Sequence, residues 1–97
     1  MLKILVTEDL ADRTYLAERA NRLDELEAML AIVDLDEWAD KAGVPLDQIR
    51  HATMTMAQAE SCAIFEDLGI QMAPHSTLNS YLEKLIFILT GNFGVKG

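Results

Sequence analysis

The residues able to do chemistry are few, and they are scattered. The chain has one cysteine, Cys62, inside the apolar run Ser61-Cys62-Ala63-Ile64-Phe65, and two histidines, His51 and His75, 24 positions apart. A thiolate nucleophile needs a neighbouring cation to lower its pKa. No Lys, Arg or His lies within several residues of Cys62, so the thiol reads as a buried structural group. Neither histidine has a second histidine at ligand spacing along a helix, which argues against a metal centre. Glu8-Asp9 and Asp34-Leu35-Asp36-Glu37 are paired carboxylates. A calcium loop alternates its oxygen ligands around a sharp glycine turn, which the second group lacks. Acids also favour helix starts for dipole reasons alone, so capping and solvation account for both groups. The sequence therefore assigns no catalytic residue and no metal ligand.

The remaining candidate is Thr90-Gly91-Asn92-Phe93-Gly94, where two glycines around an amide let backbone approach a ligand closely. The same five residues also make a helix C-cap and turn. The methionines Met29, Met54, Met56 and Met72 read as core filler.

Those residues must be held by helices. Leu2, Leu5 and Val6 have helical spacing in a short first helix. Asp12 can accept from the free amides of a second helix reaching about Ala20, and Asn21-Arg22 breaks the pattern. Leu23, Leu26, Met29, Leu30 and Val33 share one face of a helix over 24–33. Asp34 with Glu37 forms a capping box in all but the hydroxyl, opening a helix with Leu35, Trp38, Ala39 and Ala42 that Gly43 ends. Pro45 pre-sets the next start, and Ile49, Ala52, Thr53, Met56 and Ala59 carry a helix over 46–58. Residues 61–65 are the one strand-like segment, followed by a turn at 66–69. Such a strand would leave an open edge able to pair with another copy. After Pro74, Ser76 or Thr77 caps a last helix whose buried stripe is Leu78, Tyr81, Leu82, Leu85, Ile86 and Leu89, closed by Gly91. The expected fold is mainly α, with five or six short helices and one strand-like segment. Its expected core is Leu26, Leu30, Trp38, Ile49, Ile64, Leu82 and Ile86.

Composition sets bounds. Ninety-seven residues make one domain at most, and 51% apolar content supports a core. No window holds the ~18 apolar residues of a membrane helix, and no signal peptide is readable at the amino terminus. Net charge is −8: residues 1–47 carry 12 acids against 5 bases, and residues 48–97 carry 4 against 3. Such a field repels a phosphate backbone. A lone cysteine excludes an internal disulfide. Cysteine usage by itself favours the cytoplasm over export.

The closing run from Tyr81 through Leu89-Thr90-Gly91-Asn92-Phe93-Gly94 to Gly97 resembles the LTGN-hydrophobic-Gly segment of the molybdopterin oxidoreductase family. Met1 to Leu10, Asp12 with Tyr15 and Leu16, Leu23-Asp24-Glu25-Leu26, Gly43-Val44-Pro45-Leu46-Asp47-Gln48-Ile49-Arg50 and Leu68-Gly69-Ile70-Gln71 are similar to further family segments in the family's order. The resemblance implies that residues 1–97 are a single helical domain, an excised interior piece of a larger enzyme and part of an α/β Rossmann-like domain there. Met1 falls where the family has an internal methionine. The family's cofactors are molybdopterin guanine dinucleotide with molybdenum or tungsten and an iron–sulfur cluster. Their ligands lie in regions not represented, so this segment is expected to hold no cofactor and not to catalyse alone. The resemblance directs Gly69, Gln71 and Asn92 toward the dinucleotide cavity. Met72-Ala73-Pro74-His75 departs from the family's Gln-His, so no contact residue is assigned.

Two other readings stay open. Residues 35–58 have helix-turn-helix spacing, with Ala39, Gly43 four later and Ile49 six beyond, which would put the helix from Leu46 in a major groove. That helix offers a single firm positive charge, Arg50. Alternatively the chain is a helical interaction module that forms homo-oligomers through exposed apolar stripes. The expected partners are the remainder of the parent enzyme and, for the isolated chain, further copies of itself; neither nucleic acid nor membrane is expected.

Overall fold

The computed structural model describes residues 1–94; the last three residues of the closing run, 95–97, lie outside the described residues. Seven helices follow in order: α1 Leu2–Thr7, α2 Arg13–Arg19, α3 Leu23–Ala31, α4 Leu35–Ala42, α5 Leu46–Gln58, α6 Leu68–Gln71 and α7 Ser76–Leu89. The six-residue α1 is the centre. Helix α1 touches α3, α5 and α7, while α2 and α6 lean on α7 and α4 on α5. A six-residue helix has too few hydrogen bonds to persist alone, so α1 is held by what surrounds it. Leu2, Ile4 and Leu5 are buried, and Leu5 joins Ala11, Leu16 and Leu89 in the core.

Local chemistry sets the helix ends. Asp12 accepts from the Tyr15 amide at 2.9 Å, and Asp34 from the Glu37 amide at 3.0 Å. Gly43 adopts the left-handed conformation at φ +67°, letting its amide and that of Val44 close on Asp40 and Ala39 carbonyls. Helix α3 has no basic residue in its last turn. Lys3 of α1 supplies one instead, donating to the carbonyls of Ala31 at 2.9 Å and Val33 at 2.6 Å.

Several expectations are corrected. Residues 61–65 form no strand, and the described residues contain none. The segment is extended, with Cys62 and Ile64 half-buried and Ala63 and Phe65 exposed, but a strand needs a neighbour to share its backbone hydrogen bonds. No open sheet edge exists there to recruit a second copy. The expected turn at 66–69 instead leads into the single-turn α6, started by Asp67 accepting from the Leu68 amide at 2.7 Å. Helix α3 begins at Leu23 with Arg22 in a left-handed conformation before it, and α7 is preceded by His75 rather than capped by Ser76 or Thr77.

The core is also displaced. Of the residues expected there, Leu26, Leu30, Ile49, Ile64 and Ile86 are half-buried, while Trp38 is 57% exposed and Leu82 is exposed. Leu78 and Tyr81 at the start of α7 are exposed as well, because α7 meets α1 and α2 mainly through its last turns. Met29, Met54 and Met72 are exposed rather than core filler; Met56 is half-buried. Ala52 and Ala59 face outward, whereas Thr53 is fully buried, its hydroxyl donating to the Ile49 carbonyl at 2.7 Å.

Candidate functional site

The sequence candidates come apart in space. Glu8 pairs with Arg50, tying the end of α1 to α5, and Asp9 stands 3.7 Å from Arg13. Asp34 is spent on its cap, and Glu37 on Lys41 at 2.5 Å. These are structural uses for carboxylates. His51 is exposed on α5 and His75 is exposed ahead of α7. Among the described residues, no group of three His, Cys, Asp or Glu side chains could hold a metal ion. Cys62 is half-buried rather than fully buried. On the helix-turn-helix face, Arg50 is engaged by Glu8 and Lys41 by Glu37 while also lying 4.8 Å from the Trp38 ring. Those cations are therefore compensated rather than arrayed for phosphate.

The turn after α7 is the most connected of the candidates. Thr90 donates its hydroxyl to the Ile86 carbonyl at 2.8 Å, and Asn92 Nδ2 donates to Thr90 O and Oγ1 at 3.1 and 3.0 Å. Asn92 Oδ1 accepts from the Cys62 amide at 3.0 Å, the one long-range polar tie on the extended segment's backbone among the described residues. Gly91, at φ +71°, lies against α2: a Cβ there would stand 2.7 Å from Asp12 Oδ2. The Asp12 amide donates to the Leu89 carbonyl at 2.8 Å, and Tyr15 donates its hydroxyl to the Phe93 carbonyl at 2.5 Å. The Thr-Gly-Asn turn is thus a clasp. It binds the carboxyl end of α7 to the start of α2 and to the extended segment 61–65.

That segment is one wall of a cleft of about 730 Å³. Leu35 and Trp38 of α4, Ile49 and Met56 of α5, Ile64 and Phe65 of the segment, and Leu82 and Ile86 of α7 line it. The lining is mostly apolar, with Lys3, Asn79 and the acidic residues Glu66, Asp67 and Glu83 as its polar members. Ser80 donates to Glu66 Oε1 at 2.5 Å, and that bond, followed by Glu83 and Lys84, holds the Glu66 carboxyl below the usual carboxylate range. Glu66 Oε2 is shielded from solvent and meets no donor among the described residues. The sequence reading missed this group. Ser80 and Glu83 lie three apart on one helical face, a legible pairing, but Glu66 joins them only through the chain's return.

A dinucleotide pyrophosphate is held by N–H groups or cations. Gly69 and Gln71 belong to α6, whose own cap is Asp67, and the amide of Asn92 is already committed.

Three large enzyme subunits are similar to almost the whole chain. It is 27% identical over 94 residues to the F420-dependent formate dehydrogenase 2 subunit alpha of Methanococcus maripaludis, covering 97% of this chain and 14% of that one. The likeness to the assimilatory nitrate reductase catalytic subunit of Bacillus subtilis is 27% over 96 residues, 97% of this chain and 13% of the other. Formate dehydrogenase H of Escherichia coli is 26% identical over 91 residues, 94% and 13% respectively. The chain spans about one seventh of the length of these curated relatives. No family model matches, and no solved structure matches significantly. The likeness is weak in identity but continuous, and it runs to oxidoreductases of the kind the motifs resemble.

Proposed function

We propose that this chain is a segment of a molybdopterin-dependent oxidoreductase, a helical subdomain that packs beside a Rossmann-like sheet and shapes one wall of the cofactor cavity. The observation that carries the reading is the continuous likeness of 91 to 96 residues to two formate dehydrogenases and a nitrate reductase. Substrate chemistry, at molybdenum or tungsten with an iron–sulfur cluster, belongs to other parts of the enzyme. This segment's contribution is mechanical. The clasp at Thr90-Gly91-Asn92 fixes α7 and the segment 61–65, so any neighbour packed on them meets a wall of defined shape.

The test is the native polypeptide. Recovered from its host, it should be several times longer than 97 residues, contain molybdenum or tungsten, and yield the fluorescent oxidised pterin on acid–iodine treatment. A native product of this length without pterin would overturn the reading. The 97-residue chain alone should show no formate oxidation or nitrate reduction with a dye partner.

Isolated, the chain should associate with itself, since Ile32, Phe65 and Met72 are more than four-fifths exposed. Its charge of −8 opposes that association, so sedimentation should show the oligomer fraction rising as added salt screens the repulsion. A monomer at high concentration and high salt would exclude it.

A further inference from the structure

The apolar cleft and an acidic group in its lining occur together, and the combination specifies an occupant. Trp38, Ile49, Ile64, Phe65, Leu82 and Ile86 offer apolar surface along the cleft, a form that takes the apolar stripe of a helix. Glu66, Asp67 and Glu83 add negative charge to the lining, with the Glu66 and Glu83 carboxyl groups side by side. Asp67 is engaged by the Leu68 amide, and Lys84 stands 3.2 Å from Glu83. The one cationic side chain in the lining, Lys3, donates to the carbonyls of Ala31 and Val33. Glu66 has Ser80 on Oε1 and the Glu83 carboxyl beside it, its Oε2 is shielded from solvent, and two carboxyl groups held together favour an added cation. A second copy of this chain is a poor occupant, because it brings eight more net negative charges to a cleft already lined by three acids.

We infer that the cleft seats an amphipathic helix whose apolar stripe is flanked by a Lys or Arg that pairs with Glu66 and Glu83. The source is another segment of the same larger polypeptide. That assignment rests on the oxidoreductase reading, in which the relatives are about seven times longer than this chain. The cleft's own chemistry, an apolar trough with acids in its lining, does not rest on it.

Trp38 is the sole tryptophan and lines the cleft, so its fluorescence reports occupancy directly. The probe is a designed helical peptide of about 14 residues, with leucines at i, i+3, i+4 and i+7 and two lysines at one end. Its counterpart carries glutamates in place of the lysines. The lysine peptide should blue-shift Trp38 emission and bind at least about tenfold more tightly than the glutamate peptide, with the preference fading in 0.5 M salt. The double variant Glu66→Gln with Glu83→Gln should shrink the preference to below about threefold. Glu18→Gln with Asp24→Asn, an equal loss of charge on exposed positions outside the cleft, should leave it in place. Equal binding of both peptides, or equal loss in both double variants, would overturn the inference. So would a Trp38 already shielded from acrylamide in a dimer of the free chain, which makes a second copy the occupant. Overlapping peptides from the native polypeptide should include a basic amphipathic binder; none would overturn the assigned source. Pterin content of the native protein decides the oxidoreductase reading separately, so the two failures are distinguishable.

Discussion

The two sides of this small molecule are finished to different degrees. Around α1, Leu2, Ile4, Leu5, Leu16 and Leu89 close a core with almost no solvent access, and the clasp at Gly91 and Asn92 seals its edge. Across α4, α5 and the segment 61–65, the large apolar side chains stay half-buried or open, with Trp38 at 57% and Phe65 at 87% exposure. Apolar area left in water contributes nothing to folding. The first side therefore carries the stability of the chain, and the second is surface that becomes useful only when covered.

The largest effect should come from breaking the finished side. Leu5→Ala should cost about 2–5 kcal/mol in urea unfolding followed by circular dichroism, whereas Trp38→Ala, though larger in volume, should cost less than about 1.5 kcal/mol. Equal losses would erase the distinction between the sides. Next in size are the two left-handed glycines. Gly91→Ala adds a contact with Asp12 to the roughly 1–2 kcal/mol of handedness, while Gly43→Ala, with nothing within 4 Å of its Cβ, meets the backbone term alone. Gly91→Ala should therefore give the larger drop in Tm.

Asn92→Ala probes the joint between the sides and should cost about 1 kcal/mol. Its sharper readout is local: with its amide released, the Cys62 thiol should react faster with a disulfide reagent while the core remains folded. The smallest effect concerns acid. The Glu66 carboxyl is held below its ordinary value chiefly by Ser80, so this contribution is present above about pH 4.3, the unfolded value, and is lost as pH falls through the lower folded value. Ser80→Ala should flatten that loss, seen as a weaker pH dependence of Tm between pH 5 and 3. An unchanged slope would mean that Glu66 is not held by Ser80.

Much of the local structure was readable because its causes are local. Asp12 and Asp34 cap as their positions imply, Gly43 and Gly91 end helices, and α5 spans 46–58 as its spacing predicts. The apolar run 61–65 misled because β-branched and aromatic character marks an extended chain, and only a partner makes a strand. Stripe residues Leu78, Tyr81 and Leu82 misled differently, since periodicity states which residues share a face and not whether anything packs on that face. The six-residue α1 offered too little pattern to be recognised as the hub. Its central position was fixed by α3, α5 and α7 converging on it.

The amino-acid sequence alone determined the helical character, the caps and breaks, the acidic balance and the motif order that resembles a family of large oxidoreductases. Each depends on neighbours in the chain or on composition. Tertiary structure decided which apolar residues became core, that Asn92 clasps Cys62, and that Glu66 meets Ser80 beside an open cleft. Those outcomes depend on distant segments arriving at one place, and no spacing within a single helix encodes that arrival.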